Sequence, residues 1–180
     1  MNKYRSHNCN ELNVSDIDKT ISISGWINRK RDHGNLLFLD LRDHYGITQC
    51  VIDNSKIEIL NAIENLRVES VIKVIGKVTK REIETINSEL ETGEIEVAIE
   101  TIEVLSDAEE LPMPVFGDAN YPEDIRLKYR FLDARKVGLH KNIQLRSNVI
   151  AYIRELMTKS GFLEMQTPIL TASSPEGARD

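Results

Sequence analysis

The stretch GWINRKRDHGNLLFLDLRDHYGITQ, residues 25–49, decides the fold. Two apolar runs in it flank a turn at 33–35, a pattern that is typical of consecutive antiparallel strands. A basic triplet, 29–31, lies beside this turn, and Phe38 and Gln49 lie on the strands that follow. Cations, an aromatic ring and an amide on one sheet suit the binding of unstacked nucleotides. A strand meander with a solvated basic edge is the alternative interpretation.

The surrounding sequence predicts three strands, a helix and two further strands. Alternating and helical apolar spacings place the strands at 20–27, 36–43, 47–52, 70–78 and 94–104 and the helix at 55–66. This order is that of the OB-fold, a five-stranded Greek-key barrel that binds nucleic acid on its second and third strands. The order also occurs in other small β folds.

Beyond the predicted barrel, the composition changes to acids, prolines and glycine between residues 108 and 122, which indicates a linker. An apolar stripe then predicts a helix over 142–160, ended by Gly161, and a strand over 162–170. We therefore predict a first domain at 1–107, a linker or hinge at 108–140 and the start of a second domain at 141–180.

The formal net charge of −6 is unevenly distributed along the chain. Residues 1–54 carry seven basic and seven acidic side chains, residues 55–125 carry six and seventeen, and residues 126–180 carry ten and five. A polyanion responds to local fields, so the overall acidity does not exclude nucleic-acid binding. Two cysteines, the lack of a membrane-length apolar run and the lack of a signal-peptide core predict a cytoplasmic protein.

Several stretches together resemble the N-terminal part of a bacterial-type aspartyl-tRNA synthetase of class II. The matching stretches are 25–34, 38–43 and 46–49 for the anticodon-binding barrel, RLKYRFLD at 126–133 for the hinge, GFLEMQTP at 161–168 for motif 1, and SPEGARD at 174–180 for the aspartate-specific loop. The resemblance implies an OB-fold β barrel, then a hinge and the truncated start of an α+β catalytic domain.

The resemblance also assigns five anticodon-binding residues. Phe38 would stack on the middle anticodon uridine, Gln49 would hydrogen-bond that base, and Arg31 would reach the bases or their phosphates. His33 and Glu96 would lie beside them. From the residues alone, Phe38 is equally suited to the barrel core, His33 to a turn without a base contact, and Gln49 and Glu96 to a solvated sheet surface.

Two further assignments fall in the second domain. Glu176 would accept hydrogen bonds from the ammonium of bound aspartate, unless it is an ordinary surface acid. Gly161, Phe162 and Pro168, with the preceding helix, would form the homodimer interface that motif 1 makes in this class. The alternative is an amphipathic helix that packs on its own sheet.

The implied parent enzyme activates aspartate with ATP and Mg²⁺ and transfers it to tRNA(Asp). His33 resembles the residue of relatives that also charge tRNA(Asn). Motifs 2 and 3, which hold ATP and Mg²⁺ in the family, fall after Asp180, so we expect no catalytic residue, metal ligand or bound cofactor in these 180 residues. A stand-alone module for single-stranded nucleic acid and a regulatory paralogue remain as alternatives.

Overall fold

The computed structural model describes residues 2–117 and 120–168. The chain divides into two compact units, Met1–Pro112 and Met113–Asp180. None of the helices in these described ranges combines the length and the apolar character needed to cross a bilayer.

The first unit is a closed five-stranded barrel. Its strands are β1 (Thr20–Asp32), β2 (Leu36–Arg42), β3 (Ile47–Asp53), β4 (Val71–Lys80) and β5 (Ile95–Ser106), with helix α1 (Ile57–Glu64) between β3 and β4. The barrel closes in the order β1-β2-β3-β5-β4; β3 and β5 pair in parallel and all other neighbours are antiparallel. This topology confirms the predicted OB-fold. Strand β1 is longer than predicted and includes the whole basic triplet.

The barrel core follows from the period-two alternation of the strands. Branched aliphatic side chains from all five strands point inward and are essentially inaccessible to solvent, among them Ile23, Ile27, Leu39, Leu41, Ile52, Ile72, Val74, Ile95 and Val97. Cys9 and Cys50 belong to the same core as free thiols. Burial raises the pKa of both thiols, which keeps them protonated and unreactive.

The second unit, as far as it is described, is helical. Helices α2 (Glu123–Lys128), α3 (Arg130–Asp133) and α4 (Val137–Lys159) follow one another in the chain. Helix α4 starts before the predicted position and ends as predicted, because Gly161 adopts a φ of +88° and the amide of Phe162 bonds back to the carbonyl of Met157.

The predicted strand at 162–170 is wrong over its described part. Residues 162–168 are extended or irregular and pair with no strand, and residues 169 and 170 lie outside the described ranges. The apolar residues of GFLEMQTP suit a strand by propensity, but a strand also needs a neighbour to complete its hydrogen bonds. The described part of the second unit contains no strand, so no such neighbour is present there.

Candidate nucleic-acid interface

Phe38 lies on the outer face of the barrel. In β2, the side chains of Leu39 and Leu41 are fully buried, whereas Phe38, Asp40 and Arg42 alternate with them and are half-buried. The side-chain period of a strand is two, so these three residues share the face that is turned away from the core. The interpretation of Phe38 as a core residue is therefore excluded.

The ring of Phe38 is flanked by a cation and a second ring. Arg31 is its partner in the β1–β2 register, with the guanidinium carbon 5.9 Å from the ring centroid. The imidazole of His33 meets the ring edge-on at 5.4 Å and 85°. These neighbours hold the ring in place on a positively charged part of the sheet, as an RNA base-stacking platform requires.

The turn that carries His33 has a defined conformation. Gly34 adopts a φ of +75°, and its amide bonds to Oδ1 of Asp32 at 2.9 Å. Asn54, after β3, donates from its backbone amide to the carbonyl of Asn35 at 3.0 Å, and its side chain donates to the carbonyl of Gly34. His33 itself is exposed, so its ring is accessible beside Phe38.

A hydrogen-bonded row crosses the face from β2 to β5. Arg31 donates through Nη2 to Oδ1 of Asp40 at 2.8 Å and to Oε1 of Gln49 at 3.0 Å. Gln49 in turn donates through Nε2 to Oε2 of Glu96 at 3.1 Å. The structure thus brings all five predicted anticodon residues onto one continuous surface, with His33 joined to it through the ring of Phe38.

Gln49 is held rigidly in this row. Only 6% of it is exposed, so it is not an ordinary solvated strand residue. Arg31 can only donate and Glu96 can only accept, which fixes the orientation of the amide. One N–H and one lone pair of the amide are left over, the donor–acceptor combination needed to read the edge of a base.

The sequence interpretation missed Arg81, which extends the row. Its Nε lies 3.8 Å from Oε2 of Glu96 and donates to the carbonyl of Ile95 at 3.1 Å, while Nη1 donates to Thr85. Desolvation lowers the pKa of this largely buried guanidinium. The sequence interpretation ends the fourth strand at 78, whereas β4 continues to Lys80 and pairs with β5, so that Arg81 lies opposite Glu94 and close to Glu96.

Two buried guanidinium donors on this surface have no partner. They are Nε of Arg31 and Nη2 of Arg81, each inaccessible to solvent and without a hydrogen bond among the described residues. A buried donor without an acceptor is costly, which is why such groups are rare outside functional sites.

The expected cationic edge is smaller than the basic triplet suggests. Lys30 points away from Phe38 and donates through Nζ to the carbonyls of Ile63, Glu64 and Leu66 at the end of α1, at 3.1, 3.1 and 2.6 Å. Burial lowers the pKa of its ammonium. Of the triplet, only Arg29 and Arg31 therefore face the candidate interface.

The remaining predicted site residues lie in the second unit. Gly161 and Phe162 form the turn after α4, where Phe162 is 61% exposed, and Pro168 is also exposed. Glu176 lies outside the described residues. Within the described ranges, no group of three or more His, Cys, Asp or Glu side chains is placed to hold a metal ion.

The fold and the surface define a class of protein, an OB-fold nucleic-acid-binding domain followed by the start of a class II tRNA synthetase domain. The family model for the OB-fold nucleic acid binding domain matches residues 21–105, and the model for tRNA synthetases class II (D, K and N) matches residues 122–180. Curated relatives include the aspartate–tRNA(Asp/Asn) ligases of Pelagibacter ubique, 62% identical, and Phenylobacterium zucineum, 59% identical, both over all 180 residues. Over its whole length the chain is similar to class II aspartate–tRNA ligases. It spans 30% of the length of these two relatives.

Solved structures agree with this assignment. The asparaginyl-tRNA synthetase of Pyrococcus horikoshii complexed with asparaginyl-adenylate superposes with a TM-score of 0.79 and 26% identity, covering 96% of this chain and 38% of that one. The aspartyl-tRNA synthetase of Entamoeba histolytica gives 0.80 and 25%, covering 92% and 40%.

Proposed function

We propose that this chain supplies the anticodon-recognition part of an aspartate–tRNA ligase. The complete enzyme would activate aspartate with ATP and transfer it to tRNA(Asp) and also to tRNA(Asn). The observation that carries this proposal is the row of Arg31, Gln49 and Glu96 beside the outward-facing ring of Phe38. An exposed aromatic ring alone would support stacking without sequence preference. The buried amide held between an arginine and a carboxylate adds the polar atoms that are needed to read a base.

The chemistry of the row fits a uracil at the middle anticodon position. The base would stack on Phe38 and exchange hydrogen bonds with the free N–H and lone pair of Gln49. The guanidinium of Arg31, whose side chain is 31% exposed, would donate to a base carbonyl or a phosphate oxygen. Glu96 has accepting capacity left for the donor edge of a neighbouring base.

Recognition of two tRNAs would follow from His33. The anticodons for aspartate and asparagine differ only in the third base, C or U, and both pyrimidines carry the same O2 acceptor. An exposed imidazole beside Phe38 could donate to that shared atom or leave room for either base. The names of the curated relatives, which specify tRNA(Asp/Asn), support this proposal.

The other properties of the complete enzyme are proposed from the family. Residues 1–107 would form the anticodon-binding domain, 108–140 the hinge and 141–180 the start of the catalytic domain of a cytoplasmic homodimer, with Gly161, Phe162 and Pro168 at the interface. Exposed apolar side chains along α4 support a covering partner there. Glu176 would bind the aspartate ammonium.

ATP and Mg²⁺ would belong to the catalytic part of the complete enzyme. The described residues offer no metal-binding group of their own.

Binding of three RNA hairpins to the 180-residue chain tests the proposal. The first carries the aspartate anticodon, the second the asparagine anticodon, and the third has its middle uridine replaced by cytidine. We expect the first two to bind within about threefold of each other and the third at least about tenfold more weakly, the cost of one lost base contact. Equal binding of all three would instead indicate a module for single strands without sequence preference.

A further inference from the structure

Strand β1 contains one residue more than its partner strand at the point where it enters the candidate interface. Trp26 pairs with Arg42 and Ile27 with Leu41, but the next pair is Arg29 with Asp40, so Asn28 has no partner in the β1–β2 register. Such a β-bulge changes which face of the sheet every later side chain occupies.

The bulge determines which residues reach Phe38. Without the extra residue, Arg29 would pair with Leu39 and Arg31 with Leu37, and both cations would point toward the core. With it, Arg31 lies opposite Phe38, and Lys30 is directed to the end of α1. The arrangement of the interface therefore depends on keeping the bulge at Asn28.

The guanidinium of Arg42 bridges the bulge to another segment. It donates through Nη1 to Oδ1 of Asn28 at 2.9 Å and through Nη2 to Oε1 of Glu69 at 2.6 Å. The side chains of Arg42 and Glu69 are only 12% and 2% exposed. The planar fork of an arginine can donate in two fixed directions at once, which a lysine cannot do.

Glu69 is itself held in an unusual backbone conformation. Its φ is +68°, a left-handed value that is uncommon for a glutamate, and its amide donates to the carbonyl of Ile27 at 2.8 Å. The same residue thus contacts the bulge through its backbone on one side and through Arg42 on the other. Strain of this kind persists where the surrounding contacts enforce it.

We propose that Asn28, Arg42 and Glu69 form a clamp that positions Arg31 for RNA binding. None of the three needs to touch the RNA at the Phe38 platform; they act through the register of β1. The proposal rests on the proposed function for its binding readout, while the register itself is measured independently.

The test combines hairpin binding with a double-mutant cycle on the 180-residue chain. Glu69→Gly removes the carboxylate but accepts the positive φ without strain. We expect it to weaken binding of the aspartate-anticodon hairpin about tenfold, and less than about twofold in an Arg31→Ala background, because both changes act through one side chain. Arg42→Lys, which keeps the charge and loses the fork, enters the same cycle if Glu69→Gly does not fold.

The matched control is Asp16→Asn, which removes another buried, ion-paired carboxylate of the barrel. It should leave hairpin binding unchanged. Unchanged binding by a folded clamp variant, or equal losses in both backgrounds, would overturn the proposal.

An NMR readout separates this proposal from the proposed function. The cross-strand Overhauser contact between Arg31 and Phe38 should weaken in the clamp variants and persist in Asp16→Asn. If the unmodified chain binds no hairpin, the proposed function is wrong. The clamp is then tested by the Overhauser contact alone: loss of this contact in the clamp variants supports the clamp, and its persistence overturns it.

Discussion

Phe38 provides the clearest test at the scale of a single residue. Its ring is half-buried on the outer face, with the guanidinium of Arg31 over the ring and the imidazole of His33 perpendicular to it. Phe38→Ala should weaken hairpin binding by about 1–3 kcal/mol, the usual contribution of an aromatic platform per stacked base. Titration by fluorescence anisotropy measures the change. Phe131→Ala, at an exposed phenylalanine of the second unit, is the control and should bind like the unmodified chain.

The same residues define what the sequence could and could not predict. Phe38, Gln49 and Glu96 were accessible to prediction through the family resemblance, because the sequence pattern alone leaves the face of Phe38 and the roles of Gln49 and Glu96 open. Arg81 was not, because the predicted strand ends at 78, whereas β4 continues to Lys80 and its pairing with β5 brings Arg81 to Glu96. The separation of Lys30 from Arg29 and Arg31 was not accessible either, because the bulge at Asn28 interrupts the alternation of β1.

At the scale of one element, the 3₁₀ turn Val14–Asp16 before β1 predicts a pH dependence of stability. Asp16 accepts from Nζ of Lys19 at 2.8 Å and from the amide of Asn13 at 3.0 Å, and these bonds lower the pKa of its carboxyl. A carboxyl with a lowered folded-state pKa contributes stability that is fully present above its unfolded pKa, and this contribution is lost as the pH falls through the folded value.

Asp16→Asn should therefore lower the free energy of unfolding by about 1 kcal/mol at pH 7, the usual contribution of such a capping group. The difference between the two proteins should begin to shrink below about pH 4, where the aspartate of the unfolded chain becomes protonated, and shrink further as the pH falls through the lower folded-state pKa. Urea unfolding followed by the fluorescence of Trp26, the single tryptophan of the chain, measures both values. A difference that is independent of pH would contradict the assignment.

Helix α4 and the residues after it show how tertiary context limits prediction at this scale. The helix and its end at Gly161 follow from the apolar stripe and the left-handed glycine. The helix starts at Val137 rather than at 142, because its first turn precedes the apolar stripe on which the prediction rests. The strand at 162–168 failed because strand propensity is realised only where another strand completes the hydrogen bonds.

At the scale of the whole molecule, the two units should differ in resistance to protease. Barrel side chains are buried from all five strands, whereas α4 leaves large apolar residues exposed, from Ile150 at 40% to Val137 at 66%. Few buried apolar contacts imply easy local opening. Brief trypsin digestion should therefore cut α4 first and leave a resistant fragment close to Met1–Pro112, identified by mass spectrometry. Equal survival of both regions would contradict this expectation.

Because the chain as a whole is acidic, RNA binding depends on the positive charge of the binding surface itself. The chain carries a net charge of −6, which opposes a polyanion at long range. Arg29 and Arg31 on the interface provide the attraction at short range. Binding should weaken steeply as salt is added, as phosphate contacts do generally.

Stacking of the middle anticodon base on Phe38 is the central feature of the proposed recognition. The direct measurement is photo-crosslinking of the 180-residue chain to a hairpin that carries 5-iodouridine at this position, with the attached residue located by mass spectrometry. We predict a crosslink to Phe38 that disappears when the iodouridine is moved into the hairpin stem. A crosslink to Trp26 or Tyr45 in place of Phe38 would contradict the account.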